Sequence, residues 1–342
     1  MKDCSLVVLG IETSCDETAA AVVKDGGETL SNIISSQIDV HRVYGGVVPE
    51  IASRKHIESI GYVVGEAIKS AGVEKHDIDA VAATCGPGLV GALIVGLSYG
   101  KALSYGLRKP LIGVNHIEGH ICANYLDNSK FEPPFMCLVV SGGHTHLIKV
   151  IDYGVYEIIG RTRDDAAGEA FDKTARALGL SYPGGPAIEA AAKSGDPRSV
   201  ALPRASIAGS PYDFSFSGLK SAVLNCINKS KMMGDPVSAE DMAASFQSAV
   251  VDALAGKLIH ACEEHGMSKV ALAGGVASNS ALRSAVKDAC LARGYELHMP
   301  SPICCTDNAA MIASCGYFHL KQGKISSLDL NANPNLPLCS LD

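Results

Sequence analysis

Short apolar runs alternate with polar, glycine-broken turns along this chain, and they do so twice in the same order. Residues 6–11 form a β-rich apolar run and residues 19–23 another, joined by Glu12-Thr-Ser-Cys-Asp-Glu-Thr18. That pattern predicts a β-hairpin whose connection carries two adjacent acids, Asp16 and Glu17. Gly26-Gly27 turns the chain into a third strand ending near Ser36. A helix follows over residues 49–71, with Pro49 in its first turn and Gly72 at its stop. A strand over residues 78–84, the turn Gly86-Pro87-Gly88 and a helix over residues 90–106 complete the first half.

The second half repeats this order. Residues 135–140 read as a strand, Ser141-Gly142-Gly143-His144-Thr145 as a polar tight turn, 146–151 as the returning strand and 155–161 as the third. Ser238-Ala-Glu-Asp241 opens a long helix with a capping-box pattern that ends near Gly266. Residues 269–273 are then a strand, Gly274-Gly275 a turn and 278–292 a helix. This predicts two domains, 1–133 and 134–342, the second carrying an insertion over 164–235 and a C-terminal segment that packs back on the first. Such a duplication resembles the α/β architecture of the actin-like ATPase and sugar-kinase superfamily, with ribonuclease H-like domains facing each other across a nucleotide cleft. Turns without Cβ atoms let successive backbone N–H groups point at phosphate oxygens.

Composition narrows the class. A chain of 342 residues suits two domains, and 47% hydrophobic residues with 35 glycines and no tryptophan describe a packed α/β protein. The net charge of −7 excludes a surface that attracts nucleic acid everywhere. Arg161, Arg163, Lys193, Arg198 and Arg204 are the candidates for a local basic patch. Twelve scattered cysteines, without C-x-x-C or a signal peptide, read as reduced thiols of a cytoplasmic protein. The longest uncharged run, residues 85–100, is broken by five glycines and a proline. It falls short of a membrane span and reads as a buried helix, so no membrane partner is expected.

The chemistry concentrates on Asn115-His116-Ile-Glu118-Gly-His120. On a helix His116 and His120 lie one turn apart on the same face, able to converge on one metal ion. A zinc-protease reading fails, because Glu118 follows His116 by two residues and points about 200° away, where a general base does not belong. A metal held against substrate needs a third ligand and an open position. Asp307 is the best candidate, in the first turn of a small-residue helix that Thr306 is placed to cap.

Nine motifs in order carry a resemblance to one family. They are Gly10-Ile-Glu-Thr-Ser-Cys-Asp-Glu-Thr18, Cys85-Gly-Pro-Gly88, Asn115-His-Ile-Glu-Gly-His120, Val140-Ser-Gly-Gly-His-Thr145, Phe171-Asp-Lys173, Tyr182-Pro-Gly-Gly-Pro186, Phe214-Ser-Phe-Ser-Gly-Leu-Lys220, Gly274-Gly-Val-Ala-Ser-Asn279 and Cys305-Thr-Asp-Asn308. Together they resemble the bacterial branch of the tRNA N6-adenosine threonylcarbamoyltransferases. The resemblance implies transfer of a threonylcarbamoyl group from threonylcarbamoyl-AMP to the exocyclic amine of the adenosine 3′ of the anticodon. It implies an Fe(2+) or Zn(2+) ion on His116, His120 and Asp307, and an adenine nucleotide in the cleft. Its substrate positions fall on Val139, Val140, Ser141, Gly142, Gly143, Asp172, Gly185 and Asn279. At Glu189 many relatives carry an aspartate that contacts the ribose, and the longer acid keeps that bond only by shifting its backbone. The partners it implies are tRNA, a shorter paralogous subunit (TsaB-like), a small ATPase (TsaE-like) and an upstream threonylcarbamoyl-AMP synthase. The helix over 49–71 is the candidate pairing face.

Mechanistically, glycine-turn amides at residues 141–143 suit the charge on a departing AMP phosphate. An aromatic amine sheds a proton on attack, and Asp16 or Glu17 is placed to accept it. Two rival readings remain open at the level of sequence. A kinase on the same fold predicts ATP consumption and a carboxylate magnesium site; a non-catalytic nucleotide-dependent scaffold predicts no loss of metal or nucleotide on His116→Ala.

Overall fold

The computed structural model describes residues 5–126, 130–204, 207, 209–234 and 236–338. They fall into two compact units: Met1–Pro133 with Asp152–Val155 and Ile303–Asp342, and Pro134–Ile151 with Tyr156–Pro302. The first unit opens with β1 (Val7–Glu12), β2 (Glu17–Lys24) and β3 (Glu28–Ser36), then α1 (Ile38–Arg42), α2 (Pro49–Ser70), β4 (Ala80–Gly86), α3 (Val90–Leu107), β5 (Leu111–Asn115) and α4 (His116–Cys122). The second unit runs β6 (Phe135–Val140), β7 (Thr145–Asp152), β8 (Val155–Arg161), α5 (Ala167–Ala177), α6 (Gly184–Ala192), α7 (Ser217–Met232), α8 (Ala239–Glu264), β9 (Lys269–Ala273), α9 (Ser280–Arg293) and β10 (Glu296–His298). The chain then contributes α10 (Pro302–Cys305) and α11 (Ala309–Lys321), which pack in the first unit.

The two sheets have the same plan. One runs β3-β2-β1-β4-β5 and the other β8-β7-β6-β9-β10. In each, an antiparallel hairpin is extended by parallel strands: β1 pairs antiparallel with β2 and parallel with β4, as β6 does with β7 and β9. The inner strands β4 and β6 are buried along their whole length, and β6 therefore reads as an unbroken apolar run rather than an alternating one. The predicted insertion is built from α5, α6 and α7; its last residue, 235, lies outside the described residues.

α11 is brought hard against β1. A Cβ on Gly10 would lie 2.3 Å from the Ala309 carbonyl oxygen, so only glycine allows this approach. The start of that helix differs from expectation. Residues 302–305 close their own turn, Thr306 donates its hydroxyl to Ile303 O, and Asn308 is the cap, its Oδ1 accepting from Met311 N at 3.0 Å. Asp307 thus sits before the helix rather than in its first turn. Likewise α9 starts at Ser280, because Asn279 takes the capping position and accepts from Leu282 N.

The run expected to be a buried helix is buried on one face only. In α3, Ala92, Leu93, Gly96, Leu97 and Gly100 pack inward, while Val90, Ile94 and Tyr105 are exposed. By length and composition alone this helix is also apolar enough to cross a membrane. All ten cysteines among the described residues are free thiols; Cys4 and Cys339 lie outside them.

Candidate functional site

In the first unit α4 begins where β5 ends. Asn115 caps it, its Oδ1 accepting from Ile117 N at 2.9 Å and Glu118 N at 3.4 Å. The helical period stacks the His116 and His120 rings edge to face, with centroids 4.6 Å apart. Asp307 reaches both from the chain leading into α11, its Oδ1 lying 3.6 Å from His116 Nε2 and 3.3 Å from His120 Nε2. One donor atom from each of the three residues lies within 4.8 Å of the others.

Glu12 at the end of β1 orients this group, and nothing in the sequence pattern marked it. Its side chain is fully buried; Oε2 meets His116 Nδ1 at 3.0 Å and accepts from Thr84 Oγ1 at 2.7 Å. Ser14 Oγ stands 3.1 Å from the same His116 nitrogen. A histidine held through Nδ1 presents Nε2, which is the nitrogen facing Asp307. Burial opposes charge on His116, yet Asp307 and Glu12 outweigh it and raise its pKa to about 9. Burial would raise the Glu12 carboxyl, but the charge and hydrogen bond of His116 hold it below its ordinary value. Burial pushes His120 down. The pocket therefore favours one positive charge among carboxylates, with one imidazole kept neutral.

A divalent ion fits that demand. His120 is wholly buried, and neither ring nitrogen makes a hydrogen bond, its Nε2 lying close to Asp307 without hydrogen-bond alignment. Buried imidazoles are normally satisfied, so a ring left in this way marks a place for a ligand. Two imidazole nitrogens and one carboxylate are donors for zinc or ferrous iron rather than magnesium.

The neighbouring hairpin turn carries the two acids. Asp16 is buried, with its carbonyl accepting from Gln37 N at 3.1 Å; Glu17 opens β2 and accepts from Ser36 Oγ at 3.1 Å. Burial, reinforced by the charges of Asp16 and Asp307, pushes the Glu17 carboxyl well above the carboxylate range. Burial and the same acids push the Cys15 thiol up.

The second unit gathers the other candidates at the ends of β6 and β9. Val139 and Val140 are buried on β6. Ser141 N–H donates to His144 O at 2.8 Å and closes the turn, so that amide is committed. The amides of Gly142 and Gly143 make no hydrogen bond among the described residues, and a Cβ on either would meet nothing within 4 Å. Behind the turn, a Cβ on Gly168 would lie 2.6 Å from Ser141 O, and one on Gly274, whose φ is +88°, would lie 2.4 Å from Val140 O. Asp172 Oδ1 accepts from Gly184 N at 2.7 Å and anchors the start of α6, leaving open space at Gly185. Glu189 Oε1 accepts from Ser280 N at 3.0 Å and from the Ser280 hydroxyl, while Asn279 Nδ2 donates to Gln247 Oε1 at 2.8 Å. Gln247 and Ser280 were invisible in the sequence, since each reads as a surface helix residue.

The basic candidates are mostly spent on acids. Arg163 binds Asp213 through Nε at 2.6 Å, Arg204 pairs with Asp252 at 2.7 Å and Arg198 with Asp196 at 3.7 Å. Three of the five candidates are thus ion-paired at the surface.

Residues 28–314 match the family model described as tRNA N6-adenosine threonylcarbamoyltransferase, TsaD. A Clostridium perfringens protein bearing that enzyme name is 60% identical over 332 residues, covering 97% of this chain and 98% of its own. A Clostridium botulinum protein of the same name is 57% identical over 334 residues, covering 98% of each. Among solved structures, HypF from T. kodakarensis superposes with a TM-score of 0.63 at 16% identity, over 95% of this chain and 49% of that one. That likeness is one of fold, and it accords with the actin-like duplication read from the two sheets. The matched length and the identities settle the family: this chain belongs to the tRNA N6-adenosine threonylcarbamoyltransferases and transfers a threonylcarbamoyl group to tRNA.

Proposed function

We propose that the donor is threonylcarbamoyl-AMP, with cation-binding residues in the first unit and anion-binding amides in the second. His116, His120 and Asp307 hold an iron or zinc ion, which when bound supplies a Lewis acid and a template for oxygen atoms. Glu12 and Ser14 keep His116 in the tautomer that presents Nε2. The amides of Gly142 and Gly143 take the phosphate of the leaving AMP, and Gly185 leaves space for the nucleoside. Asn279 and Glu189 brace each other and the start of α9, so their action on the nucleotide runs through the shape of that helix end.

When the adenosine amine attacks, it sheds a proton. Burial and the adjacent charge of Asp16 raise the Glu17 carboxyl well above the carboxylate range, so Glu17 tends to keep its own proton, and the acceptor role falls to the neighbouring side chain of Asp16. The remaining parts follow the family: tRNA is the acceptor, a synthase supplies the donor, and a shorter paralogue and a small ATPase assist. Because so few of the candidate arginines are unpaired, those partners carry part of the tRNA surface. The place of work is the cytoplasm, where tRNA is modified.

The observation that carries this reading is His120, a buried ring without a hydrogen bond beside a carboxylate that also meets His116. The test is quantification of threonylcarbamoyladenosine in tRNA after incubation with chemically prepared threonylcarbamoyl-AMP, alongside metal analysis. Wild type is expected to modify tRNA and carry iron or zinc; Asp16→Asn should keep the metal and lose turnover, whereas Glu17→Gln should lose less. A fully active His120→Ala protein without metal overturns the reading.

A further inference from the structure

Four side chains form a second donor group on the other side of α4, outside the site described above. The periodicity that sends His116 and His120 toward Asp307 sends Glu118 away from it, and Cys122 lies one turn after Glu118. α11 answers with Cys315 and His319, again one turn apart. The two helices approach closely, since a Cβ on Gly119 would lie 2.7 Å from Ile312 Cδ1. Glu118 Oε1 is 2.8 Å from His319 Nε2, Cys315 Sγ is 3.8 Å from the same nitrogen, and donor atoms of these three all lie within 4.8 Å of one another. Burial, with the neighbouring Cys122 thiol, pushes the Cys315 thiol up. Glu118, Cys122 and Cys315 are buried, and the His319 ring keeps a small exposed edge, which is a route from solvent.

We propose that Glu118, Cys122, Cys315 and His319 form a second metal site, sulfur-bearing and closed, for a divalent cation of the zinc class. The spacing suits it. Around a tetrahedral zinc, sulfur and nitrogen ligands sit about 3.6 Å apart and nitrogen and oxygen ligands about 3.4 Å apart, given bond lengths of about 2.0–2.3 Å. The sulfur–nitrogen separation is already there, and the glutamate–histidine pair has to open by roughly half an ångström as the ion replaces the shared proton. Thiolate donors select zinc over magnesium or calcium. Loading releases the two thiol protons to solvent. Four protein ligands leave no open position, so the role is structural: the ion ties α4, whose opposite face carries the two histidines, to α11, which follows Asp307.

The test is cobalt(II) loading of the chelator-stripped full chain, followed by near-ultraviolet thiolate-to-cobalt charge transfer and by metal analysis. The first site has no sulfur, so His120→Ala is expected to lose one equivalent of cobalt and keep the charge-transfer band. Cys315→Ser should abolish the band. His319→Gln, altered at the solvent edge, should weaken zinc affinity by about tenfold or more with an unchanged circular dichroism spectrum, which decides the matter if the serine variant does not fold. A His120→Ala protein without a thiolate band overturns the proposal, as does a band that survives Cys315→Ser. A denatured-state thiol titration finding two fewer than the 12 cysteines, with both missing thiols mapped to Cys122 and Cys315, overturns it in favour of a disulfide.

Discussion

The turn after β1 and the turn after β6 occupy the same place in two sheets of the same plan, yet they are chemical opposites. The first is acidic and locked: Glu12 holds His116, Ser14 O accepts from Leu89 N, and Asp16 is buried. The second is glycine-built and open, with the amides of Gly142 and Gly143 unengaged among the described residues. Duplication thus gave one backbone position two uses. Carboxylates in such a place suit a cation; bare amides suit an anion.

The contrast breaks most sharply at the metal triad. Asp307→Ala should abolish metal retention and lower turnover by on the order of a thousandfold, the several kcal/mol a Lewis acid supplies, measured by metal analysis and tRNA modification. In the second unit, Gly274→Ala should destabilise the fold by about 2–3 kcal/mol, since its Cβ meets the Val140 carbonyl at a strained φ. Gly142→Ala, facing open space, should leave the thermal midpoint unchanged and weaken AMP binding; equal midpoints for the two variants would contradict the geometry.

Glu12→Gln sharpens the comparison by leaving all three ligands in place. Metal affinity should drop by about ten- to a hundredfold through the freed His116 ring, read by competition with a chelating dye. The smallest effect lies in acid. Burial, with Arg161 nearby, lowers the pKa of His146 to about 4. The folded state therefore refuses a proton that the unfolded chain accepts near 6.5, and stability falls as the pH drops from about 6.5 toward 4. His146→Leu should flatten that dependence by about 1 kcal/mol at pH 5 after solvent screening; an unchanged slope between pH 7 and 5 in chemical denaturation would assign it elsewhere.

Much of this was legible in the sequence because strands and glycine turns leave strong local marks. The hairpin at β6–β7 and the stop of α2 at Gly72 were readable from a few residues each. The histidine pair was readable because four-residue spacing has one meaning on a helix. Glu12 was not, because a buried acid at a strand end looks like the first residue of a polar turn, and its partner His116 lies more than a hundred residues away. The cap of α11 is ambiguous in the sequence because Thr306 and Asn308 are both good capping residues, and only the separate turn of α10 decides between them. The sequence of α3 reads as buried because its composition is apolar all round; its packing face is marked by small residues, not by polarity.

The chain enters its first unit twice, and a ribosome makes the two visits far apart in time. The whole of the second unit is synthesised between His120 and Asp307. At bacterial-to-eukaryotic elongation speeds of about 5–20 residues per second, the groove awaiting α11 stays uncovered for on the order of ten to forty seconds. During that interval Gly10 and Gly119 line an apolar trough without its helix. A pocket that needs His116, His120 and Asp307 together is therefore complete only late in synthesis, once the segment leading into the final helix has emerged.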